Sequence, residues 1–157
     1  MAVVNIKAQH LNAFIKATME TFATMVNLAV VPGKIRMKDK QAYPYDVSGI
    51  IGLGGGVKGA VAMSFPRASA IAVVRGFMGE KTVTPGEMVD AIGELANIVV
   101  GAAKKDLAAF KIKISLPTVI NGENHSISGP VDASSLVVPF EFPGGKFDMA
   151  VCFKSLI

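Results

Sequence analysis

The residues of this chain best suited to chemistry are a glutamate and an asparagine spaced three apart, in a run with helical periodicity. At helical spacing they share one exposed stripe with another carboxylate, a glycine and a lysine; the stripe is Asp90, Glu94, Asn97, Gly101 and Lys104. A carboxamide both donates and accepts hydrogen bonds, so it can fix a water molecule without titrating. A solvated helix face is the alternative interpretation. Asn and Gly are nevertheless unfavourable in an exposed helix interior, Gly by about 1 kcal/mol relative to Ala, which favours a functional role.

A long amphipathic helix must position this stripe. Thr84 can act as its N-cap, Pro85 fits the first helical position, and Glu87 completes a capping box. Apolar residues then recur at helical spacing for about six turns. The predicted core-facing arc is Met88, Ile92, Leu95, Ala96, Val99, Ala103 and Leu107. One side of the helix therefore faces a core and the other faces solvent.

The motif Asp90-x-x-x-Glu94-x-x-Asn97, within Ala-Ile-Gly-Glu-Leu-Ala-Asn-Ile, resembles the CheC/CheX family of chemotaxis phosphatases. Two other segments resemble the same family, the run Ser-Leu-Pro-Thr-Val-Ile-Asn-Gly at 115–122 and the glycine-rich run at 49–65. The resemblance covers nearly the whole chain. It is closest to the CheX type, which has one such motif where the CheC type has two.

The resemblance implies a phosphatase that accelerates hydrolysis of the aspartyl phosphate of a phosphorylated CheY-like receiver domain. The exposed helix would insert Glu94 and Asn97 into the receiver's active site. Asn97 would position the attacking water and Glu94 would pair with a lysine of the receiver, while Asp90, Gly101 and Lys104 would contact this partner. The protein is expected to need no cofactor of its own, because the Mg2+ belongs to the receiver's site. A homodimer is also implied, with the motif helices left exposed.

Length and composition predict a single domain over residues 1–157 with a substantial core. Hydrophobic residues make up 51% of the chain and charged residues 18%, which favours a compact globule. No apolar run approaches the roughly 20 residues needed to cross a bilayer. The N-terminus lacks the layout of a signal peptide, and the single cysteine, Cys152, lies in a strand-like run where we expect it to pack. The expected location is the cytoplasm, without membrane contact.

The predicted fold class is α/β (α+β), an antiparallel or mixed sheet with long helices on one face. Helix, basic alternating strand and glycine-turned hairpin occur at 5–65 and again at 85–154, which predicts two pseudo-repeated halves. In the first half, a helix face is expected to end at Pro32-Gly33. That face comprises Ile6, Leu11, Phe14, Ile15, Thr18, Phe22, Met25 and Val26. The remaining predictions are strands at 34–40, 45–53, 57–65, 111–120, 134–142 and 146–154, a helix at 66–78, and a turn at 121–123.

Several other motifs are better explained by structure. Gly54-x-Gly56-x-x-Gly59 matches a dinucleotide fingerprint, but a strand-like run follows where that motif needs a helix, so a hairpin turn is expected. His10 and His125 have no partners at metal-ligand spacing, and no metal site is predicted. The lysines and arginine at 34, 36, 38 and 40 alternate and so share one face, for which a solvated outer face of the sheet is favoured over a surface for an acidic partner. They lack the aromatic interleaving of a nucleic-acid site.

Two functions other than hydrolysis are compatible with the same residues. A non-catalytic module could bind a receiver domain or a flagellar switch component, although such a module has little need for the asparagine. In a structural dimer domain, the same stripe would be a solvated helix face with no binding role.

Overall fold

The computed structural model describes residues 8–37, 45–122 and 135–156. Its helices are α1 (Ala8–Thr21), α2 (Arg67–Met78) and α3 (Pro85–Lys105). Its strands are β1 (Val31–Pro32), β2 (Arg36–Met37), β3 (Val47–Gly55), β4 (Val57–Phe65), β5 (Ile112–Ile114), β6 (Thr118–Asn121), β7 (Ser135–Phe142) and β8 (Gly145–Ser155). A π-helical turn, Phe22–Val26, follows α1, and a 3-10 turn, Ala108–Phe110, follows α3. No helix in these ranges is both long and apolar enough to cross a membrane.

The strands form one eight-stranded sheet in the order β1-β7-β8-β4-β3-β5, with β2 also paired to β7 and β6 to β3. Every pairing is antiparallel. The two hairpins meet through β4 and β8 at the centre, and each is extended by the short strands of the other half. The hairpin β3–β4 with β5 and β6 therefore mirrors the hairpin β7–β8 with β1 and β2 about the centre of the sheet. The predicted α+β class is confirmed, and the strand order has the symmetry expected of the predicted repeat.

One face of the sheet carries the apolar core, because alternate residues of every long strand point toward the helices. Phe147 of β8 lies near its centre, with the ring centroids of Phe22, Phe65 and Phe140 at 4.9, 4.9 and 5.0 Å. The helices α2 and α3 pack on this face, and α1 packs against α3. The alternate residues of β8 point to the opposite face, and among them Cys152 is buried as predicted.

Glycine lets α3 approach the sheet closely at Gly49 of β3. A β-carbon there would lie 3.1 Å from Cγ2 of Ile92 and 3.2 Å from the Ile92 carbonyl oxygen. The predicted apolar arc of α3 is buried throughout, with Ile92 and Val99 both at 0% exposure. The helix is therefore fixed against β3 along its apolar side, which leaves the opposite stripe facing outward.

The first helix ends earlier than the sequence predicts. Its regular part stops at Thr21, and after the π-helical turn Asn27 adopts a left-handed conformation with φ 60°. Asn tolerates that conformation and can end a helix as glycine does. Pro32 instead lies in an edge strand, where its missing N–H is tolerated. The π-helical turn also changes the helical phase, which explains why Met25 is 41% exposed rather than in the core.

The strand predicted at 111–120 is interrupted. β5 ends at Ile114 and β6 begins at Thr118, because Pro117 cannot donate a ladder hydrogen bond. The basic strand predicted at 34–40 is strand only at Arg36–Met37 within the described part, and residues 38–40 lie outside it. Arg36 forms an ion pair with Asp148 at 2.9 Å. Ile6, His125 and the end of the turn predicted at 121–123 also lie outside the described residues.

Both glycine turns form as predicted. The β3–β4 hairpin turns at Gly55, with φ 76°, and the β7–β8 hairpin turns at Gly144, with φ 88°. Because β4 follows the first turn, the Gly54-x-Gly56-x-x-Gly59 motif does not precede a helix. The dinucleotide interpretation is therefore excluded by the local structure.

Candidate functional site

The N-terminus of α3 is closed by the predicted capping box. The backbone N–H of Glu87 donates to Thr84 Oγ1 at 3.2 Å, and the backbone N–H of Thr84 donates to Glu87 Oε1 at 3.0 Å. The backbone hydrogen bond from Thr84, with the Thr84 side chain adding to it, lowers the pKa of Glu87 below its ordinary value of 4.5. This reciprocal cap fixes the start of the helix that carries the candidate site.

The predicted stripe is exposed along α3. Asp90, Glu94, Asn97 and Lys104 all face solvent, whereas Gly101 is half-buried. The two residues between the glutamate and the asparagine, Leu95 and Ala96, are each 1% exposed and anchor that turn in the core. A carboxylate and a carboxamide are therefore held on a helical turn whose backbone is fixed from below.

Neither Glu94 nor Asn97 makes a side-chain hydrogen bond or an ion pair to another described residue. Their polar atoms are available to a molecule that docks on this face. A positively charged group would suit the carboxylate, and a water molecule or amide would suit the carboxamide. The stripe contains no serine, threonine or cysteine.

A short β-structure runs along one side of the stripe. A β-carbon at Gly93 would lie 3.1 Å from Cγ2 of Val119 and 3.5 Å from two ring carbons of Pro117. Further along the helix, a β-carbon at Gly101 would lie 4.0 Å from Cδ1 of Ile114. Small residues on α3 therefore let β5 and β6 pack beside the turns that carry the stripe.

The connection between β5 and β6 exposes a residue that the sequence analysis did not single out. Leu116 is 86% exposed, the highest value among the large hydrophobic residues of the described chain. The clue in the sequence was the Leu-Pro dipeptide inside an otherwise alternating run. The interpretation of 111–120 as one continuous strand concealed it.

Other candidate chemistry is absent from the stripe. Across the described ranges, no group of three or more His, Cys, Asp and Glu side chains could hold a metal ion.

A cavity of about 380 Å³ lies away from the stripe, between the start of α2 and the β7–β8 turn. It is lined by Pro66, Ser69, Glu141, Phe142, Gly144, Gly145 and Lys146. His10 packs edge-on against Phe110, with ring centroids 5.1 Å apart.

The sequence model of the family described as chemotaxis phosphatase CheX matches residues 47–141, which include the whole of α3 and the β5–β6 segment. This chain belongs to the CheX family. The CheY-P phosphatase CheX of Thermotoga maritima is 30% identical over 124 residues, covering 76% of this chain and 80% of the relative. The predicted family and the predicted enzyme class, a phosphatase, are both confirmed.

Solved CheX structures have the same fold. The chemotaxis protein CheX of Vibrio vulnificus superposes with a TM-score of 0.84 at 31% identity, covering 93% of this chain and 99% of that protein. CheX in the CheX-CheY-BeF3-Mg+2 complex from Borrelia burgdorferi superposes with a TM-score of 0.80 at 24% identity, covering 94% and 99%. At this lower identity, the Borrelia structure supports only the fold of the present chain.

Only α3 of this CheX chain carries the Glu-x-x-Asn spacing. On the first half, Glu20 near the end of α1 is exposed, and the residue three positions later is Ala23, in the π-helical turn. An alanine cannot donate or accept a side-chain hydrogen bond. The first half therefore offers no second copy of the carboxylate and carboxamide pair.

Proposed function

We propose that this protein accelerates hydrolysis of the aspartyl phosphate on a CheY-like receiver domain by presenting Glu94 and Asn97 to the receiver's active site. The observation that carries the proposal is the joint exposure of these two side chains on a helix fixed in the core of a CheX-family fold. The chain alone has no complete active site on this face, and a phosphorylated receiver would supply the missing parts.

A phosphorylated receiver already brings the phosphorylated aspartate, a Mg2+ ion and a lysine, so much of the phosphate charge is neutralised before docking. A water molecule held in line with the phosphorus is then the missing component. The carboxamide of Asn97 would hold this water by donating and accepting hydrogen bonds. Holding the nucleophile in place removes a large part of the entropic barrier to attack.

Glu94 would dock the helix in register by pairing with the receiver's lysine. The pair would lose water on docking, and such charged hydrogen bonds are stronger than neutral ones. Asp90 and Lys104, at either end of the stripe, would contact the receiver around this pair. Gly101 would leave room for close approach of the receiver surface. These roles extend the resemblance to the CheX family residue by residue.

The names of the relatives support this substrate. The Thermotoga relative is a phosphatase of CheY-P, the phosphorylated form of CheY. The Borrelia CheX forms a complex with CheY that also contains BeF3 and Mg+2, and we infer a comparable partner for this chain, with the Mg2+ in the partner's site. A cytoplasmic location follows from that proposal, since receiver domains of this kind act in the cytoplasm.

We also propose a homodimer that pairs sheet edges, because the edge strands leave unpaired backbone groups. The motif helix would stay outside the contact, since placing Asp90 and Glu94 against their own copies would bring like charges together. Light scattering at micromolar concentration should give twice the monomer mass. A monomer would contradict the dimer, and a disulfide crosslink between copies of Asn97→Cys would contradict the open arrangement.

The decisive experiment for the activity is phosphate release from a purified, phosphorylated CheY-like receiver with and without this protein. Acceleration that depends on the amount of protein, at catalytic ratios, supports the phosphatase. Binding without acceleration would support a receiver-binding module instead. If the protein neither bound the receiver nor accelerated phosphate release, the result would support a structural domain.

A further inference from the structure

The apolar side chain of Leu116 is almost entirely exposed to solvent. Its 86% exposure compares with 65% for Met37 and 62% for Val31, the next large hydrophobic residues in the described chain. Single exposed apolar residues are common on protein surfaces and usually need no explanation. Leu116 differs from a typical case because its backbone is fixed on both sides and because it borders the candidate site.

The backbone around Leu116 is held by hydrogen bonds to β3. The Ser115 N–H donates to the Gly52 carbonyl at 2.9 Å, and the Gly52 N–H donates to Ser115 Oγ at 2.8 Å. The Ser115 hydroxyl in turn donates to the carbonyl of Leu116 at 2.9 Å. On the other side, β6 begins at Thr118, which pairs with Ile50. Leu116 therefore projects from a fixed segment rather than from a free loop.

This fixed segment lies beside the turn of α3 that carries Asn97. Pro117, the residue after Leu116, packs at Gly93, where a β-carbon would lie 3.5 Å from its ring. Gly93 precedes Asn97 by four residues, so the two positions are neighbours on one helix face. Leu116 is thus connected to the helix surface that presents the carboxamide through one packed contact, that of Pro117 with Gly93.

We propose that Leu116 is an apolar anchor that inserts into a hydrophobic patch on the receiver beside its phosphorylated aspartate, and so strengthens binding of the receiver to the face that presents Asn97. The proposal rests on the proposed function, because it takes the receiver as the occupant of this face. Leu116 adjoins Pro117, whose ring packs at Gly93, one helical turn before Asn97. A protein that contacts both Leu116 and the polar stripe needs an apolar patch next to a cationic group, whereas a free phosphate or small phosphoester would contact the polar stripe alone.

The physical basis is preorganisation. An exposed leucine on a mobile loop would lose conformational freedom on binding, which would offset part of the gain from burial. The backbone at Leu116 is already held through Ser115 and Pro117, so burying the side chain against the receiver costs its rotamer freedom but little further backbone entropy. Apolar anchors of this kind, surrounded by polar contacts, commonly account for much of the affinity of an interface.

The test is the affinity of Leu116→Ala for the receiver loaded with beryllofluoride and Mg2+, measured by calorimetry. We expect dissociation constants raised by about tenfold, equivalent to about 1.4 kcal/mol. Leu116→Met keeps an apolar side chain of similar size and should bind within about twofold of the unmodified protein. Met37→Ala is the matched control, because Met37 is 65% exposed on β2. This strand pairs with β7, near the edge of the sheet opposite to β5 and β6. Far-UV circular dichroism and the unfolding midpoint verify that each variant is folded.

Kinetics separate this inference from the proposed function. With saturating receiver, Leu116→Ala should keep the maximal rate of phosphate release while its half-saturating receiver concentration rises. An affinity equal to that of the unmodified protein overturns the anchor, even if the phosphatase activity is fully confirmed. If the unmodified protein binds but does not accelerate hydrolysis, the proposed function fails and the loss of affinity in Leu116→Ala still supports the anchor. Weaker self-association with unchanged receiver affinity would assign Leu116 to a contact between copies and would also overturn the proposal.

Discussion

Gly93 and Val119 are so close that a β-carbon on the glycine would lie 3.1 Å from Cγ2 of the valine. This contact joins β6 to α3 one turn before Asn97. Because β6 is also paired to β3 over Val47–Ile50, the helix is held both from below and along one side. The exposed carboxylate and carboxamide therefore lie on a helix packed on two sides, which suits the proposed docking into a receiver's active site.

Gly101 tests whether a partner approaches along the stripe. A β-carbon there would make only ordinary contact, 4.0 Å from Cδ1 of Ile114, so Gly101→Ala should be accommodated and should stabilise α3 by up to about 1 kcal/mol. Gly101→Leu should remain folded but should place bulk between the helix and a docked receiver. Thermal unfolding and phosphate release, measured on both variants, check this expectation. Undiminished activity in Gly101→Leu would mean that the receiver docks elsewhere.

Glu94→Lys tests the docking role of the carboxylate. A lysine at this position would face the receiver's lysine, and like charges juxtaposed in an interface cost several kcal/mol. We expect the affinity for the beryllofluoride-loaded receiver to fall by at least about tenfold, with a parallel loss of catalysis at low receiver concentration. Glu80→Lys makes the same charge change at an exposed residue outside α3 and should bind normally. Normal binding by Glu94→Lys would refute the ion pair.

The capping box predicts how stability depends on pH. The pKa of Glu87 is lowered in the folded state by hydrogen bonds from Thr84, so the ionised carboxylate stabilises the fold at pH values above its ordinary pKa of 4.5. This contribution should be lost as the pH falls through the lowered pKa of the folded protein. Unfolding midpoints of Glu87→Gln should therefore lie below those of the unmodified protein at neutral pH and converge with them in acid. A difference that persists unchanged in acid would exclude the ionised cap as its cause.

The sequence predicts α3 well because its determinants are local. Thr84, Pro85 and Glu87 mark its start, and the apolar spacing gives the buried side directly. The end of α2 is equally local, since Gly79 adopts the left-handed conformation, with φ 72°, at its C-cap. The stripe could be selected because Asn97 and Gly101 are unfavourable on a merely solvated helix face.

The errors arise where distant residues decide the structure. The break between β5 and β6 depends partly on the hydrogen bond of Ser115 to Gly52, which is 63 residues away in sequence. Phe22, the first residue of the π-helical turn after α1, stacks on Phe147, which lies in the other half of the chain. Alternation and helical spacing contain no information on such contacts. Leu116 was missed for the same reason, because its exposure follows from that break.

The central claim is that Asn97 positions the water that attacks the aspartyl phosphate. Its most direct test is the rate of phosphate release from the phosphorylated receiver with Asn97→Ala, measured alongside affinity for the beryllofluoride-loaded receiver. Asn12→Ala is the matched control, because Asn12 is an exposed asparagine on α1. We predict that Asn97→Ala lowers the maximal rate by about 10²–10³, as loss of one positioned catalytic group commonly does, while its affinity stays near that of the unmodified protein. Full activity in Asn97→Ala would contradict the account.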